Sequence, residues 1–205
     1  APAPSAPPQP YHPPPGGAGV PQAVFPSPAA AAYQPRTNMV VPVEDLARAD
    51  HARLKARLEI YGMREMKVQG DGNCQFRALA DQMWRDQERH REVRATTIAQ
   101  LRRQKELYEP FVPDEEFGAY VQRMCADSTW GDHLTLQAAA DAYGVRLCVL
   151  SSYKDSFVLE VEPQGGARSG RVLWLSFWAE VHYNSVYPTS DRIAGQLLKE
   201  NKAGY

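Results

Sequence analysis

Cys74 stands where a tight turn meets an apolar helix, in the segment "QGDGNCQFRALADQMWR" that runs from residue 69 to residue 85. The first N–H groups of a helix have no partners within it, and its N-terminus carries a partial positive charge, so an anion is stabilised there. In such a position, beside an imidazolium, the pKa of a thiol falls to roughly 3.5–7.5. The same amides could hold the oxyanion of a tetrahedral intermediate. The position indicates a nucleophile, and the alternative is a buried structural cysteine.

The turn before Cys74 is built from Gly70, Asp71 and Gly72. Glycine allows a positive φ and has no Cβ to block a substrate backbone, so both glycines are expected to keep the approach to the thiol open. Asp71, three residues before the cysteine, suits a turn in which its carboxylate caps backbone amides.

A thiol nucleophile needs a base, and His182 is the candidate among the histidines because it lies in "EVHYNSVY", a late strand-like run. Residues i and i+2 of a strand project from the same face, so Asn184 can accept the imidazole N–H and turn the other ring nitrogen toward Cys74. An isolated His-x-Asn pattern is more typical of a hydrogen-bonded strand edge. The other histidines lie in the N-terminal tail (His12) or are assigned to the surface (His51, His90 and His133).

Composition excludes several classes of function. The 205 residues carry 23 Lys and Arg against 24 Asp and Glu, without the basic stripe of a nucleic-acid-binding protein. No apolar run is long enough to cross a bilayer.

Three cysteines without framework spacing favour a reducing compartment, the cytoplasm or the nucleus. Cys125 and Cys148 are assigned to the core, and no zinc-binding spacing or phosphate-binding loop is present, so neither a metal nor a cofactor is expected.

Residues 1–42 differ in composition from the rest of the chain. They hold 13 of the 17 prolines and show no periodicity. We interpret them as a disordered Pro/Ala-rich tail with polyproline II character, a passive linker or a ligand for a proline-binding module. Residues 43–205 have the composition of one globular domain.

Helical spacing dominates the first half of that domain. Five amphipathic helices are predicted, beginning near residues 43, 74, 91, 114 and 132. The first places Leu46, Leu54, Leu58 and Tyr61 on one face. The third is predicted to continue from residue 91 to Pro110, and the fifth to begin at an Asp132 N-cap and end at Gly144.

Strand-like runs dominate the second half, after a short extended stretch at "MREMKVQ". The runs are "VRLCVLS", "FVLEVEP", "RVLWLSFW" and "VHYNSVY". Helices first and strands later indicate an α+β fold in which helices pack around a small, largely antiparallel sheet.

Three segments together carry a family resemblance. "GDGNCQFRALADQ", "WGDHLTLQAAADAYGVRLCVL" and "HYNSVY", in this order and separation, resemble the ovarian-tumour (OTU) family of cysteine proteases, most of which are deubiquitinases, and in particular its plant-type members. The resemblance covers residues 43 to 188 and leaves out the tail. It implies a papain-like fold.

The resemblance also implies an activity, the hydrolysis of isopeptide bonds at the C-terminal glycine of ubiquitin. Cys74 matches the nucleophile, His182 the general base and then acid, and Asn184 the residue that orients the ring. Asp71 matches the family's motif aspartate, so a role beside the oxyanion is open alongside that of turn former. Ubiquitin, polyubiquitin chains and ubiquitinated proteins are the expected partners of a monomer. The alternatives are a non-catalytic ubiquitin-binding module and a thiol hydrolase acting on a ubiquitin-like modifier.

Four aromatic residues have two interpretations each. Trp174, Trp178 and Tyr183 could wall a narrow channel for a Gly-Gly tail or pack against the helices. Trp130 is predicted to anchor the start of the fifth helix in the core, although the resemblance places its loop near the substrate cleft.

Overall fold

A five-stranded sheet with helices on both faces organises the part of the chain that the structure, a computed structural model, describes: residues 42–112 and 115–190. The predicted tail lies outside these residues, except for Pro42. The elements in chain order are α1 (Glu44–Ile60), β1 (Met63–Met66), α2 (Cys74–Trp84), α3 (His90–Arg103), α4 (Lys105–Tyr108), α5 (Phe117–Cys125), α6 (His133–Tyr143), β2 (Arg146–Ser151), β3 (Val158–Val161), β4 (Val172–Trp178) and β5 (His182–Pro188).

The strands are ordered β1-β5-β4-β2-β3, and all neighbours are antiparallel except β2 and β4. The prediction of an α+β fold with a largely antiparallel sheet is confirmed. The parallel pair arises because β3 occupies the edge beside β2, so the chain returns along β4 on the other side of β2. This order makes β5, the strand that begins with His182, a central strand between β1 and β4.

Helix α1 covers one face of the sheet. Its Leu54 and Leu58 are buried against Leu150 and Val186 of the sheet. The predicted apolar face is therefore confirmed for the C-terminal half of α1. Leu46, which the sequence also assigns to this face, is 57% exposed and does not belong to the buried cluster. Leu46 lies in the first turn of α1, whose contact with the sheet is polar: the Ala47 carbonyl accepts from Trp178 Nε1 at 3.0 Å.

Helix α2 packs on the opposite face, in the largest hydrophobic cluster of the described residues. Phe76 and Leu79 of α2 are fully buried there with Leu175 of β4 and Leu147 of β2. Burying such side chains contributes roughly 1.5–3 kcal/mol each, so the start of α2 is held rigidly against the sheet. Cys74 belongs to this rigid segment.

Helices α3, α4, α5 and α6 build a second cluster, which includes Leu101, Tyr108, Tyr120 and Met124. The prediction of one helix from residue 91 to Pro110 is wrong, because Gln104 leaves the helical region with φ −124° and ψ 49° and separates α3 from α4. The break lets Tyr108 turn inward and donate its hydroxyl to Asp141 of α6 at 2.6 Å.

Helix α6 begins and ends as the sequence predicts. The Asp132 carboxylate accepts from the Thr135 N–H at 3.0 Å, and the Thr135 hydroxyl accepts from the Asp132 N–H at 2.7 Å. Such caps contribute about 0.5–2 kcal/mol. Gly144 ends the helix with φ 62°.

No helix within residues 42–112 and 115–190 combines the length and hydrophobicity needed to span a bilayer.

Candidate active site

Cys74 is the first residue of α2, as the sequence predicts, and the turn before it requires one of its two glycines. Gly72 has φ +83°, and a Cβ built there would lie 2.1 Å from the main-chain oxygen of Ser128. Gly70 has no positive φ, and a Cβ there would lie 3.9 Å from Cε1 and 4.0 Å from Nδ1 of His182. The expected need for positive φ thus holds at Gly72 alone, while Gly70 lies against the imidazole.

The Cys74 side chain lies in a buried, amide-rich environment, with only 7% of the residue exposed. Burial raises the pKa of the thiol above its ordinary value, while hydrogen bonds from the main-chain N–H groups of Tyr183, Gln75 and Cys74 itself lower it. Burial is the larger effect, so the expected depression of this pKa is wrong. A raised pKa favours the protonated thiol, which needs a base to become a nucleophile.

His182 and Asn184 project from the same face of β5, and the distance from His182 Nε2 to Asn184 Oδ1 is 3.1 Å. Asn184 Oδ1 also accepts from the Val68 N–H at 3.0 Å. Because that N–H can only donate, the amide oxygen faces Val68 and His182, and Nε2 is the ring nitrogen that carries the proton. Nδ1, on the side of the ring that faces Gly70, is then the basic nitrogen.

The thiol and the histidine segment meet at Tyr183. This residue follows His182, lies in the same buried cluster as Cys74, and stacks its ring on Phe177 at 4.3 Å between centroids. The structure therefore brings together the turn at Gly70, the start of α2 and the start of β5.

Asp71 uses both carboxylate oxygens within the turn. Oδ1 accepts from the Asn73 N–H at 3.0 Å, and Oδ2 accepts from Nε and Nη2 of Arg77 at 3.0 and 2.7 Å. The Arg77 guanidinium holds the pKa of Asp71 far below its usual range. These are the contacts of a turn former; a role beside the oxyanion stays a prediction.

Asn73 ties the turn to a second loop. Its side chain, 1% exposed, accepts at Oδ1 from Arg94 at 2.6 Å and from the Ser128 N–H at 3.2 Å. Arg94 also donates to the main-chain oxygens of Met124 and Thr129, at 2.9 and 2.7 Å. One buried guanidinium thus fixes α3, the α5–α6 loop and the residue before Cys74.

Gln75 makes the corresponding tie to α6. Its Nε2 donates to the Asp132 carbonyl at 3.0 Å, and its Oε1 accepts from the Thr135 hydroxyl at 2.7 Å. The residues on both sides of Cys74 are therefore buried, hydrogen-bonded polar groups, an arrangement that fixes the position of the thiol in advance of any substrate.

The aromatic residues divide between packing and exposure. Trp178 stacks on His51 at 4.5 Å between centroids, and Trp174 is partly buried under α1. Trp130 is 39% exposed, so the prediction that it anchors the core is wrong. Its loop is held by Arg94 and Asn73, which leaves the indole at the surface.

Four further assignments need correction, those of His51, His90, His133 and Cys125, while that of Cys148 holds. His90 is 3% exposed rather than solvated, and burial lowers its pKa. His51 and His133 are partly buried, the first through its stacking on Trp178. Cys148 is a core residue, and burial raises its pKa to about 12. Cys125, assigned to the core, is half-buried, and its sulfur accepts from Nη2 of Arg102 at 3.1 Å. The assignment of His90 to the surface rests on the charged residues that flank it in the sequence.

Two residues of the site were missed from the sequence. Arg94 lies four residues before Ile98 and seven before Leu101, on the apolar face of α3, and this spacing could have identified a buried arginine. Glu65 lies two residues after buried Met63 on β1, hence on the same face, and its Oε1 accepts from Asn184 Nδ2 at 3.2 Å.

Within residues 42–112 and 115–190, no cluster of three or more His, Cys, Asp or Glu side chains could hold a metal ion.

Comparison with known proteins agrees with this geometry. The family model described as "OTU-like cysteine protease" matches residues 69–183. In Arabidopsis thaliana, OVARIAN TUMOR DOMAIN-containing deubiquitinating enzyme 10 is 46% identical over 170 residues, covering 83% of this chain and 47% of that protein. Enzyme 12 of the same series is 48% identical over 155 residues, covering 76% of this chain and 70% of that protein.

Enzyme 9 is also 48% identical, with 49% of its length covered, so the chain spans about half the length of two of these three relatives. Solved structures share the fold. The OTUD1 OTU domain superposes with a TM-score of 0.60 at 23% identity, covering 70% of this chain and 97% of that one. An OTU domain in complex with ubiquitin gives 0.51 at 16% identity, covering 70% and 89%. On the match to the family model and the identity to these relatives, this chain belongs to the OTU family of cysteine proteases.

Proposed function

We propose that this chain is a cysteine-type deubiquitinase that hydrolyses isopeptide bonds at the C-terminal glycine of ubiquitin. The observation that carries the proposal is the approach of the turn before Cys74 to the imidazole: a Cβ on Gly70 would lie 3.9 Å from Cε1 and 4.0 Å from Nδ1 of His182. Family membership and the names of the Arabidopsis relatives, all deubiquitinating enzymes, support the substrate.

In the proposed first step, His182 Nδ1 takes the proton of Cys74 as the sulfur bonds to the carbonyl carbon of the terminal glycine of ubiquitin. The raised pKa of the thiol supports this order, because little thiolate is present before a base acts. Negative charge develops on the carbonyl oxygen, close to the main-chain N–H groups at the start of α2.

The tetrahedral intermediate then collapses as the carbon–nitrogen bond breaks. His182 gives its proton to the departing lysine amine, and ubiquitin stays attached to Cys74 as a thioester. A water molecule, deprotonated by His182, attacks the thioester carbon and releases the ubiquitin carboxylate and the thiol. Asn184 keeps the proton on Nε2 throughout, so that Nδ1 alternates between base and acid.

Ubiquitin and polyubiquitin chains are the proposed partners, supported by the likeness to an OTU domain solved in complex with ubiquitin. A non-catalytic ubiquitin-binding module and a hydrolase for a ubiquitin-like modifier are the competing functions. The binding module differs from the proposal in having no reaction at Cys74, and the other hydrolase differs in the modifier that Cys74 attacks.

A ubiquitin probe with a thiol-reactive C-terminus separates these functions. We expect a covalent adduct with the wild type, none with Cys74→Ala, and an undiminished adduct with Cys125→Ser, a matched control in which the other partly accessible thiol is removed. Cleavage of di-ubiquitin should follow the same order. Absence of a wild-type adduct would leave a binding module, and a faster reaction with a probe built on a ubiquitin-like modifier would change the substrate.

A further inference from the structure

Glu65 and Asn184 lie on neighbouring antiparallel strands and project from the same face of the sheet. In the register of β1 and β5, Glu65 is opposite Val186, two residues along from Asn184. In the register of β4 and β5, Ser176 is directly opposite Asn184. Three polar side chains from three adjacent strands therefore converge on the face covered by α1.

The carboxylate of Glu65 closes this polar group. Its Oε1 accepts from Asn184 Nδ2 at 3.2 Å and from the Ser176 hydroxyl at 2.5 Å. Ser176 is fully buried and Glu65 is partly buried, so water screens the interaction less than it would at an exposed surface. A hydrogen bond to an ionised acceptor is shorter and roughly twice as strong as one between neutral groups.

The amide of Asn184 is consequently fixed from both ends. Glu65 can only accept, so it must face the NH2 group, and the Val68 N–H can only donate, so it must face the oxygen. With either partner alone a flipped amide would cost one hydrogen bond; with both, a flip costs two. A flipped amide would offer His182 a donor instead of an acceptor and reverse the tautomer of the ring.

Glu65 also has the charge that Asn184 lacks. A neutral amide orients an imidazole but cannot neutralise the charge of an imidazolium. A carboxylate bonded to the NH2 end of the amide polarises it, so that the amide oxygen facing the ring becomes more negative. Lys55 of α1 lines the same surface depression as Glu65, and His51 of α1 lies within electrostatic reach of Glu65, Lys55 and Lys67. Glu65 raises the pKa of His51, although burial and the two lysines lower it by more.

We propose that Glu65 is a positioning residue of the active site, which locks the Asn184 amide and thereby keeps the proton on His182 Nε2 and the lone pair on Nδ1. The inference rests on the proposed function in that His182 is taken as the base. It extends the site from β5 to β1. Glu65 positions Asn184, Asn184 positions His182, and His182 acts on Cys74.

The test compares Glu65→Ala and the near-isosteric Glu65→Gln with Glu160→Gln, a control that removes an exposed glutamate from the opposite edge strand β3. We expect Glu65→Ala to lower kcat by about 10-fold to 100-fold on a fluorogenic ubiquitin substrate with KM changed by less than about twofold. Glu65→Gln should lose less, because its amide keeps one acceptor but loses the charge. The control should match the wild type.

A double-mutant cycle tests whether Glu65 acts through Asn184. If it does, Glu65→Ala combined with Asn184→Ala is no slower than Asn184→Ala alone, because the amide that Glu65 positions is already missing. Independent, multiplicative losses would overturn the proposal, since they would mean that Glu65 only supports the strands. Should Glu65→Ala fail to fold, Glu65→Gln takes its place in the cycle.

A second readout needs no substrate. The Nε2–H proton of His182 should give a slowly exchanging NMR signal in the wild type and in Glu160→Gln, and the signal should broaden or vanish in the Glu65 variants. An unchanged signal in both Glu65 variants would overturn the inference. If the wild type hydrolysed no ubiquitin substrate, the proposed function would fall, while this signal would still decide whether Glu65 holds the ring.

Discussion

The guanidinium of Arg94 donates to the side-chain oxygen of Asn73 across 2.6 Å, and both residues are at least 95% buried. Asn73 immediately precedes Cys74, so this contact joins the middle of α3 to the start of the helix that carries the thiol. Arg94 lies over the ring of Phe76 at 4.0 Å as well, which adds a cation–π contact inside the core.

Replacing Arg94 by Met should destabilise the fold strongly. The substitution leaves Asn73 Oδ1 and the carbonyls of Met124 and Thr129 without this donor, and each unsatisfied buried acceptor costs about 1–3 kcal/mol. We expect a loss of about 3 kcal/mol or more in the free energy of unfolding, measured by urea denaturation. Arg91→Met, an exposed position one turn earlier, should cost less than ~0.5 kcal/mol. Equal losses would show that the Arg94 contacts contribute nothing specific.

Asp71→Asn should reduce stability in a pH-dependent way. Arg77 is 6% exposed, and the substitution would turn an NH2 group toward its guanidinium, at a cost of about 2 kcal/mol at neutral pH. Because the pKa of Asp71 is depressed in the folded protein, its contribution is present above the unfolded value of about 3.9 and is lost as pH falls through the folded value. The difference between the two proteins should therefore shrink in acid.

Glu88→Gln provides the control for Asp71→Asn. It removes the other carboxylate on Arg77, but Glu88 is 78% exposed and its ion pair is screened by water. A loss at Glu88 as large as that at Asp71 would contradict the importance of the buried pair. Activity of folded Asp71→Asn also separates the two roles open for this residue: a turn former affects stability first, and a group beside the oxyanion affects kcat.

Gly72→Ala and Gly70→Ala form a pair with opposite expected outcomes. At Gly72 an alanine must adopt φ +83° and place its Cβ against the Ser128 carbonyl, so we expect a loss of at least ~2 kcal/mol and a matching fall in probe labelling. At Gly70 the Cβ makes only van der Waals contact with His182, so melting temperature should be preserved. Equal melting temperatures for both variants would contradict the geometry of the turn.

Local signals explain what the sequence predicts well. The start of α2 at Cys74, the Asp132 cap and the end of α6 at Gly144 depend on residues within one or two turns of each other. The same holds for the shared face of His182 and Asn184, which follows from strand geometry alone. These features needed no knowledge of the tertiary fold.

Contacts between distant segments explain what the sequence leaves open. Arg94 meets Asn73 and Thr129 only once α3 packs beside the α5–α6 loop, and Glu65 meets Asn184 only once β1 pairs with β5. The pKa of Cys74 shows the same limit. A helix N-terminus predicts a lower value, but the depth at which the thiol is buried depends on the whole core.

The reactivity of Cys74 toward a small neutral alkylating agent should rise steeply with pH. Because burial raises the pKa of the thiol, the thiolate fraction in the ligand-free protein is small at pH 7 and grows through the alkaline range. The rate, followed by mass spectrometry in a Cys125→Ser background, should still be increasing above pH 9. A plateau reached near pH 7 would mean that a thiolate–imidazolium pair exists before substrate binds, contrary to the burial effect.

His182→Ala and Asn184→Ala should separate the base from the residue that orients it. Removing the imidazole eliminates proton transfer, so kcat should fall by about 10³-fold or more, whereas removing the amide leaves a base that is correctly placed part of the time and should cost about 10-fold to 100-fold. Both side chains are partly exposed at the start of β5, so thermal melting should change little. If Asn184→Ala matched His182→Ala in kcat while both stayed folded, ring orientation would count for as much as the base itself. If His182→Ala unfolded the protein, its role would be structural.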